Sequence, residues 1–325
     1  VRMKIKAFFK LVEMQTKVAS VIPYTTALLY VLYSTKRINA VNMVVMFFSM
    51  LIFDMTVTAL NNYFDYKRAE KKHGYNYEIH NSIVQYQLKI STVRAVIIVM
   101  IVFSAALGLL LVYLTNIVTL ILGAACFAIG IVYSYGPMPI SRTPFGEIFS
   151  GLTMGLGIPF IAYYINVFDQ NILNVSLANH IFLLSFDVYQ IAGILLVSLP
   201  AVFGIANIML ANNICDMEDD LLNKRYTLPI VIGKQKAMTL LKLLFALAYV
   251  AIIIALALGV LPLYSLLTLI TIIPLMKNLR LFAANPTKKD TFGAIVGSFV
   301  MITVSLIITI GLGILDSAFL QLLVS

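Results

Sequence analysis

Stretches of about twenty residues with almost no charge recur along this chain, at 41–60, 93–114, 191–210 and 239–260. Each approaches the ~20 residues an α-helix needs to cross a bilayer's hydrocarbon core. Backbone groups in hydrocarbon must satisfy one another, which restricts spanning structure to helices and closed barrels. A barrel would be written as segments of about ten residues alternating in polarity, and no such pattern runs through this chain. Only 11% of residues are charged and 61% are apolar, against about 25% charged in a soluble domain. The expected fold is therefore all-α: a polytopic membrane protein.

Nine spans are expected, at 16–33, 41–64, 93–114, 117–134, 148–167, 190–214, 237–257, 260–278 and 292–314, and the basic residues test the count. With the N-terminus in the cytoplasm, Arg2 to Lys17 supply five cations before or at the first span, and Lys67, Arg68, Lys71, Lys72, Lys89 and Arg94 follow the second. Arg142 follows the fourth span. Lys224, Arg225, Lys234, Lys236 and Lys242 follow the sixth, and Lys277, Arg280, Lys288 and Lys289 the eighth. Only Lys36 and Arg37 fall on the other face. This is the positive-inside bias, and it predicts nine spans with the N-terminus cytoplasmic and the C-terminus outside. The net charge of +9 then belongs to cytoplasmic loops facing anionic lipid and an anionic substrate, not to nucleic-acid binding. No small-residue cleavage site follows the first apolar stretch, so a removable signal peptide is not expected. Cys126 and Cys215 are isolated thiols, neither a disulfide framework nor a metal site. With no Trp, tyrosines such as Tyr75, Tyr77 and Tyr86 are the expected headgroup anchors. Residues 1–325 read as a single domain, because no Gly-, Pro- or Ser-rich linker divides them.

Two segments carry polar chemistry where apolar runs end: Asn61-Asn62-Tyr63-Phe64-Asp65, and Asn212-Asn213-Ile214-Cys215-Asp216 continuing to Glu218-Asp219-Asp220. Residues four apart share a helix face. Asp54, Thr58, Asn61 or Asn62, and Asp65 thus form one stripe, and Asn212, Asp216 and Asp220 another, with Asn213 and Glu218–Asp219 on flanking faces. Ionisable groups near lipid are costly and mark function. A lone Asp and Asn at a helix end is ordinarily a cap; two such clusters on one face, each followed by cations, point to divalent metal clamping a polyphosphate. Mg²⁺ takes one or two carboxylates and completes its shell with phosphate oxygens and water. Asp54 lies a few turns deeper, where orienting neighbours, pairing with a Lys or ligating an ion are all open to it.

Between the fourth and fifth spans, Tyr133-Ser134-Tyr135-Gly136-Pro137-Met138-Pro139-Ile140-Ser141-Arg142-Thr143-Pro144-Phe145-Gly146-Glu147 breaks the helix. A rigid hairpin is expected there, and Arg142 can make forked contacts with phosphate. His73, His80 and His180 lack ligand spacing and are expected in loops.

Asn61-Asn62-x-x-Asp65, the Tyr-to-Gly-Glu stretch, and Asn212-Asn213-Ile-x-Asp216-x-x-x-Asp220 followed by Lys-Arg-x-Thr-Leu together resemble the UbiA-type intramembrane prenyltransferases. Leu11 to Lys17 resemble the branch acting on 1,4-dihydroxy-2-naphthoate. The resemblance implies transfer of a polyprenyl group from polyprenyl diphosphate to that ring with decarboxylation, in a bacterial plasma membrane with the active site facing the cytoplasm. It implies Mg²⁺ on Asn62, Asp65, Asn213, Asp216 and Asp220. It implies catalysis by Asp65, Asp216 and Asp220, and diphosphate contacts from Lys17, Asn61, Lys67, Arg142, Lys224 and Arg225. The chain departs from the family's fullest first motif in carrying Asn62 and Ala69 where acids are common, so its first cluster holds less charge. Asn213 likewise replaces an Asp of other branches. A related enzyme acting on hydroxybenzoate, homogentisate or haem is the alternative. A cation or polyphosphate-lipid transporter is a second, although its polar sites would be expected near mid-membrane.

Overall fold

The computed structural model describes residues 3–68, 81–178 and 180–324; Ala69, Glu70, Lys71, Lys72, His73, Tyr75, Tyr77 and His80 lie outside them. Among the described residues nine helices are long and apolar enough to cross a membrane. They run Met14–Thr35, Ala40–Arg68, Ile90–Leu114, Ile117–Ser134, Gly146–Gln170, Val188–Cys215, Lys234–Ala257, Leu263–Ala284 and Phe292–Phe319, and are the first to ninth spans below. Each overlaps one expected span. The second continues past residue 64 to Arg68, which carries Asp65 inside the helix rather than just beyond it.

Local chemistry sets several helix ends. Asn116 caps the fourth span by accepting from Val118 N, and Asp187 caps the sixth by accepting from Gln190 N; such side chains satisfy backbone donors that have no partner within the helix. Gly259, at φ 69°, ends the seventh span in the left-handed conformation that favours glycine.

Hydrogen bonds between connections define the two ends of the bundle. At one end Arg68 donates to the Gly136 carbonyl, Arg142 to that of Asn223, and Tyr226 N to that of Arg142. At the other, Lys36 donates to Ser317, Asn39 N to Asn166 and Asn116 to Tyr164. The connections after the second, fourth and sixth spans therefore meet at the end opposite Lys36, as alternation of the spans requires.

The sixth span is the most enclosed, with 61% of its apolar window buried, against 22% and 17% for the third and fourth. It sits centrally, while the third and fourth turn most of their surface outward. Gly151 and Gly155 of the fifth span pack directly on it: a Cβ on Gly155 would lie 2.5 Å from the Val202 backbone, and one on Gly151 2.8 Å from the Val202 carbonyl. Small residues one turn apart allow helix backbones to approach this closely. The fifth span also holds a π-turn at Thr153–Gly157, the kind of irregularity often found beside functional sites.

One element departs from the all-α expectation. The connection between the fifth and sixth spans forms an antiparallel hairpin, β1 (Leu173–Ala178) and β2 (Ile181–Phe186), in register from Leu173↔Phe186 to Ala178↔Ile181. Residues 173–177 alternate apolar and polar at the strand period, and His180 turns the chain at φ 63°.

Candidate active site

The two polar stripes line one end of a single cavity of about 810 Å³. From the second span come Asp54, Thr58, Asn61, Asn62 and Asp65; from the sixth and just beyond it, Asn212, Asp216, Asp219 and Asp220. Hydrogen bonds from Asp216 N to the Asn212 carbonyl and from Asp220 N to that of Asp216, 3.1 and 2.8 Å long, keep the one-turn spacing across the junction with the short helix Met217–Leu222. The expected Asn212–Asp216–Asp220 row is thus real.

Asp65, Asp216 and Asp220 each meet a cation. Arg142 Nη1 lies 3.8 Å from Asp65 Oδ1, Arg225 Nε lies 3.2 Å from Asp220 Oδ1, and Lys288 pairs with Asp216. Burial, and secondarily Asp216, push the Asp220 carboxyl up to about 6, although Arg225, Thr227 and Lys288 pull it back. Burial alone would lower Arg225; the carboxylates of Asp65, Asp220 and Asp216 outweigh it and hold the guanidinium above its ordinary value. Burial depresses Arg142, and neighbouring Arg225 and Arg68 work in the same direction against Asp65 and Asp220. Arg225 therefore senses acids from both stripes at once.

The other expected residues divide. Arg225, Asn61 and Asn62 line the cavity, and Asn62 donates to the Leu11 carbonyl and to Glu13. Arg142 reaches the site through Asp65. Lys17 does not line the cavity; its ammonium is buried, 2.7 Å from both Asp54 Oδ1 and Thr58 Oγ1. Taking a charge out of water requires such partners, and Asp54, which also lines the cavity, supplies one of them. Lys67 lies over the Tyr63 ring at 5.2 Å, and Lys224 occupies a left-handed turn; neither lines the cavity. Asn213 is turned from the cavity and donates to Glu147 Oε1 at 2.8 Å.

Lys288 and Glu147 are the participants that sequence reasoning missed. Lys288 follows a turn signal, Asn285-Pro286-Thr287, but nothing local ties it to Asp216. Glu147 closes the Gly-Pro segment and was legible only as a helix start.

Beyond the polar end the cavity becomes apolar, lined by Met50 and Phe53, Phe127, Ile158, Ile205 and Met209 from four spans. Its lining on the second span extends from Asp65 to Met46, about 28 Å of helix at 1.5 Å per residue.

Among the described residues no three His, Cys, Asp or Glu side chains stand close enough to hold a metal ion unaided. The donors that line the cavity are nonetheless hard oxygens from two helix ends, Asp65 on one and Asp216, Asp219 and Asp220 on the other. This set fits Mg²⁺ bound through one or two carboxylates, with substrate phosphates supplying the rest.

A cluster of acids and guanidinium groups at one end of a helical bundle, opening into a long apolar chamber, has the chemistry to take an anionic headgroup with an apolar tail. The sequence profile of the UbiA prenyltransferase family matches residues 20–301, and the chain belongs to that family. It is a multi-pass membrane enzyme, a prenyltransferase. A curated relative, the 1,4-dihydroxy-2-naphthoate octaprenyltransferase of Bacillus subtilis (strain 168), is 28% identical over 245 residues, covering 75% of this chain and 72% of the relative. Among solved structures, a UbiA homologue from Aeropyrum pernix K1 superposes with a TM-score of 0.66 at 15% identity, covering 94% of this chain and 99% of that one. A UbiA homologue from Archaeoglobus fulgidus bound to DMAPP and Mg²⁺ gives 0.64 at 13% identity, with 94% and 98% covered.

Proposed function

We propose that this enzyme transfers a polyprenyl group from polyprenyl diphosphate to 1,4-dihydroxy-2-naphthoate with loss of the ring carboxylate, the step that gives a demethylmenaquinol, the reduced form of a demethylmenaquinone. Residues 1–325 act as one membrane domain in a bacterial plasma membrane, with the polar end of the cavity toward the cytoplasm. The observation that carries this reading is the meeting of both acidic stripes and Arg225 at the mouth of one apolar chamber. The naphthoate acceptor is supported by the naphthoate-prenylating relative and by the Leu11–Lys17 segment, whose Glu13 lies at the cavity.

Asp65, Asp216 and Asp220, with Asn62, would hold Mg²⁺ at the donor's diphosphate; Asn213 would reach it only by giving up its bond to Glu147. When bound, Mg²⁺ neutralises charge that collects on the diphosphate as the allylic C–O bond breaks. Arg225, Arg142 and Lys288 exchange part of their pairing with the acids for phosphate oxygens, and Asn61 adds an amide donor. Lys17 supports the second span through Asp54 and Thr58 instead of contacting phosphate. The apolar chamber takes the prenyl chain and keeps water from the allylic carbon as positive charge develops there. A ring carbon of the acceptor forms the new C–C bond, the C–O bond to diphosphate breaks, and the ring carboxylate departs as CO₂.

Purified enzyme supplied with Mg²⁺, geranyl diphosphate and a panel of aromatic acceptors, with products read by mass spectrometry, tests this. The expected product is prenylated, decarboxylated naphthoate. Prenylation of hydroxybenzoate or homogentisate in its place would overturn the acceptor assignment. Asp65→Asn and Asp216→Asn are expected to abolish transfer while the protein still inserts and purifies.

A further inference from the structure

A second, smaller cavity of about 230 Å³ lies at the Lys36 end of the bundle, away from the acid rows. Tyr30 and Ser34 of the first span line it, with Tyr163 and Gln170 of the fifth and Tyr189 and Gln190 of the sixth. Among the described residues no Lys, Arg, Asp or Glu lines it. Its wall is thus neutral, built of hydroxyls and carboxamides that can both donate and accept. Tyr163 donates to Gln190 Oε1 at 3.1 Å. Tyr30 is 5% exposed. Its carbonyl accepts from Ser34, but its hydroxyl has no hydrogen-bond partner among the described residues. Gly193 leaves room for that hydroxyl, since a Cβ there would lie 2.5 Å from the Tyr30 oxygen. A buried hydroxyl without a partner is costly, so this one is set for a group that enters the cavity.

Both feet of the β hairpin border the same cavity. Gln170 precedes β1, Tyr189 follows β2, and Asp187 N closes the base on the Ile172 carbonyl at 2.8 Å. No Lys, Arg, Asp or Glu occurs from Gln170 to Phe186, and Ile181, Phe182, Leu183, Leu184 and Phe186 are all more than half exposed. An apolar patch of this kind marks an interaction surface. At the end of a membrane bundle the apolar medium within reach is the acyl layer, while unpaired strand edges still need the water of the headgroup region.

We propose that this cavity binds the sugar headgroup of a neutral glycolipid whose acyl chains lie along the apolar hairpin. A lipid phosphate is disfavoured there, because no cation lines the cavity to pair with it. A quaternary ammonium is disfavoured because the Tyr30 and Tyr163 rings stack on each other, with centroids 5.7 Å apart, covering faces that such a cation would need. Each hydroxyl of a sugar donates and accepts, as the wall does. A single sugar ring also suits a space smaller than the ~300 Å³ at which drug-sized pockets begin. The bound lipid joins the ends of the first, fifth and sixth spans.

The test is thermal unfolding of the purified full-length chain in a polyoxyethylene detergent, which carries no sugar, titrated with monoglucosyl diacylglycerol. The glycolipid is expected to raise the Tm saturably, as a ligand of the folded state does. Diacylglycerol without the sugar and phosphatidylglycerol are expected to raise it far less. Tyr30→Phe keeps the ring, removes the hydroxyl and is expected to weaken glycolipid binding about fivefold, the worth of one neutral hydrogen bond. Phe182→Ser/Leu184→Ser alters two exposed side chains on one face of β2 and is expected to weaken it about tenfold through lost apolar contact. Neither variant touches the active-site cavity, so both are expected to keep the parent's rate of prenyl transfer. Parent-like glycolipid affinity in Tyr30→Phe would overturn the proposal, as would equal stabilisation by diacylglycerol or phosphatidylglycerol. Methyl glucoside stabilising the parent as strongly as the glycolipid at equal concentration would make free sugar the ligand and overturn the lipid assignment.

Discussion

Asp220 is where burial and charge oppose each other most directly. Its carboxyl is pushed up to about 6, chiefly by burial, so between pH ~4 and 6 it keeps a proton that a solvent-exposed Asp would have released. A metal ligand must shed that proton. Mn²⁺ affinity in the presence of prenyl diphosphate is therefore expected to hold above pH 6 and to fall by up to about tenfold per pH unit below it. Asp220→Asn is expected to bind more weakly and to lose that slope, and titrations from pH 5 to 8 read both. Lys288 acts on the opposite sign of charge. It pairs with Asp216 and lines the cavity, so Lys288→Met is expected to raise the KM for prenyl diphosphate by about tenfold, the worth of one hydrogen bond to a charged group. The acid rows were legible because residues four apart on one continuous helix must share a face. Lys288 was not, since it reaches Asp216 from a connection two spans further along, and no local rule pairs them.

Among the elements, the contact of the fifth and sixth spans does most to shape the site. Gly155→Leu would force a side chain into the Val202 backbone, which a Cβ alone would approach to 2.5 Å. Overpacking of this kind costs about 1–3 kcal/mol or more, so a clear loss of thermal stability in detergent is expected. Gly123 in the fourth span is the contrast. It lines the cavity, and a Cβ there would meet nothing within 4 Å. Gly123→Leu is expected to fold normally and to narrow the apolar chamber, impairing turnover of long polyprenyl donors more than of geranyl diphosphate; kcat/KM for the two donors measures the split. The eighth span shows how an unusual local geometry can be put to use. It opens as a 3₁₀ helix at Leu263–Thr271, in which residues three apart eclipse. Ser265, Thr268 and Thr271 therefore line up and meet Thr309, Ser305 and Tyr249 respectively. Such hydroxyl contacts between membrane helices contribute about 0.6 kcal/mol each. Hydropathy alone located this span but gave no sign of its 3₁₀ turn.

For the whole molecule, the distribution of basic residues makes a directional claim. A C-terminal alkaline phosphatase fusion is expected to be active and a C-terminal green fluorescent protein fusion dark, placing the C-terminus outside and the polar end of the cavity in the cytoplasm. Excess EDTA is expected to stop prenyl transfer, with Mg²⁺ restoring it; full activity in EDTA would contradict a metal-held diphosphate.

The amino-acid sequence by itself determined the class of fold, the number of spans and the faces on which the two acid rows lie. Those properties follow from the thickness of hydrocarbon and the pitch of a helix, and both act over a single segment at a time. Tertiary structure alone decided which cation meets which acid, that Lys17 is committed to Asp54, and that Glu147 holds Asn213. Each of these joins residues on different spans. Their meeting depends on how closely the backbones pack, and the glycines that permit that packing carry no charge pattern to announce their partners.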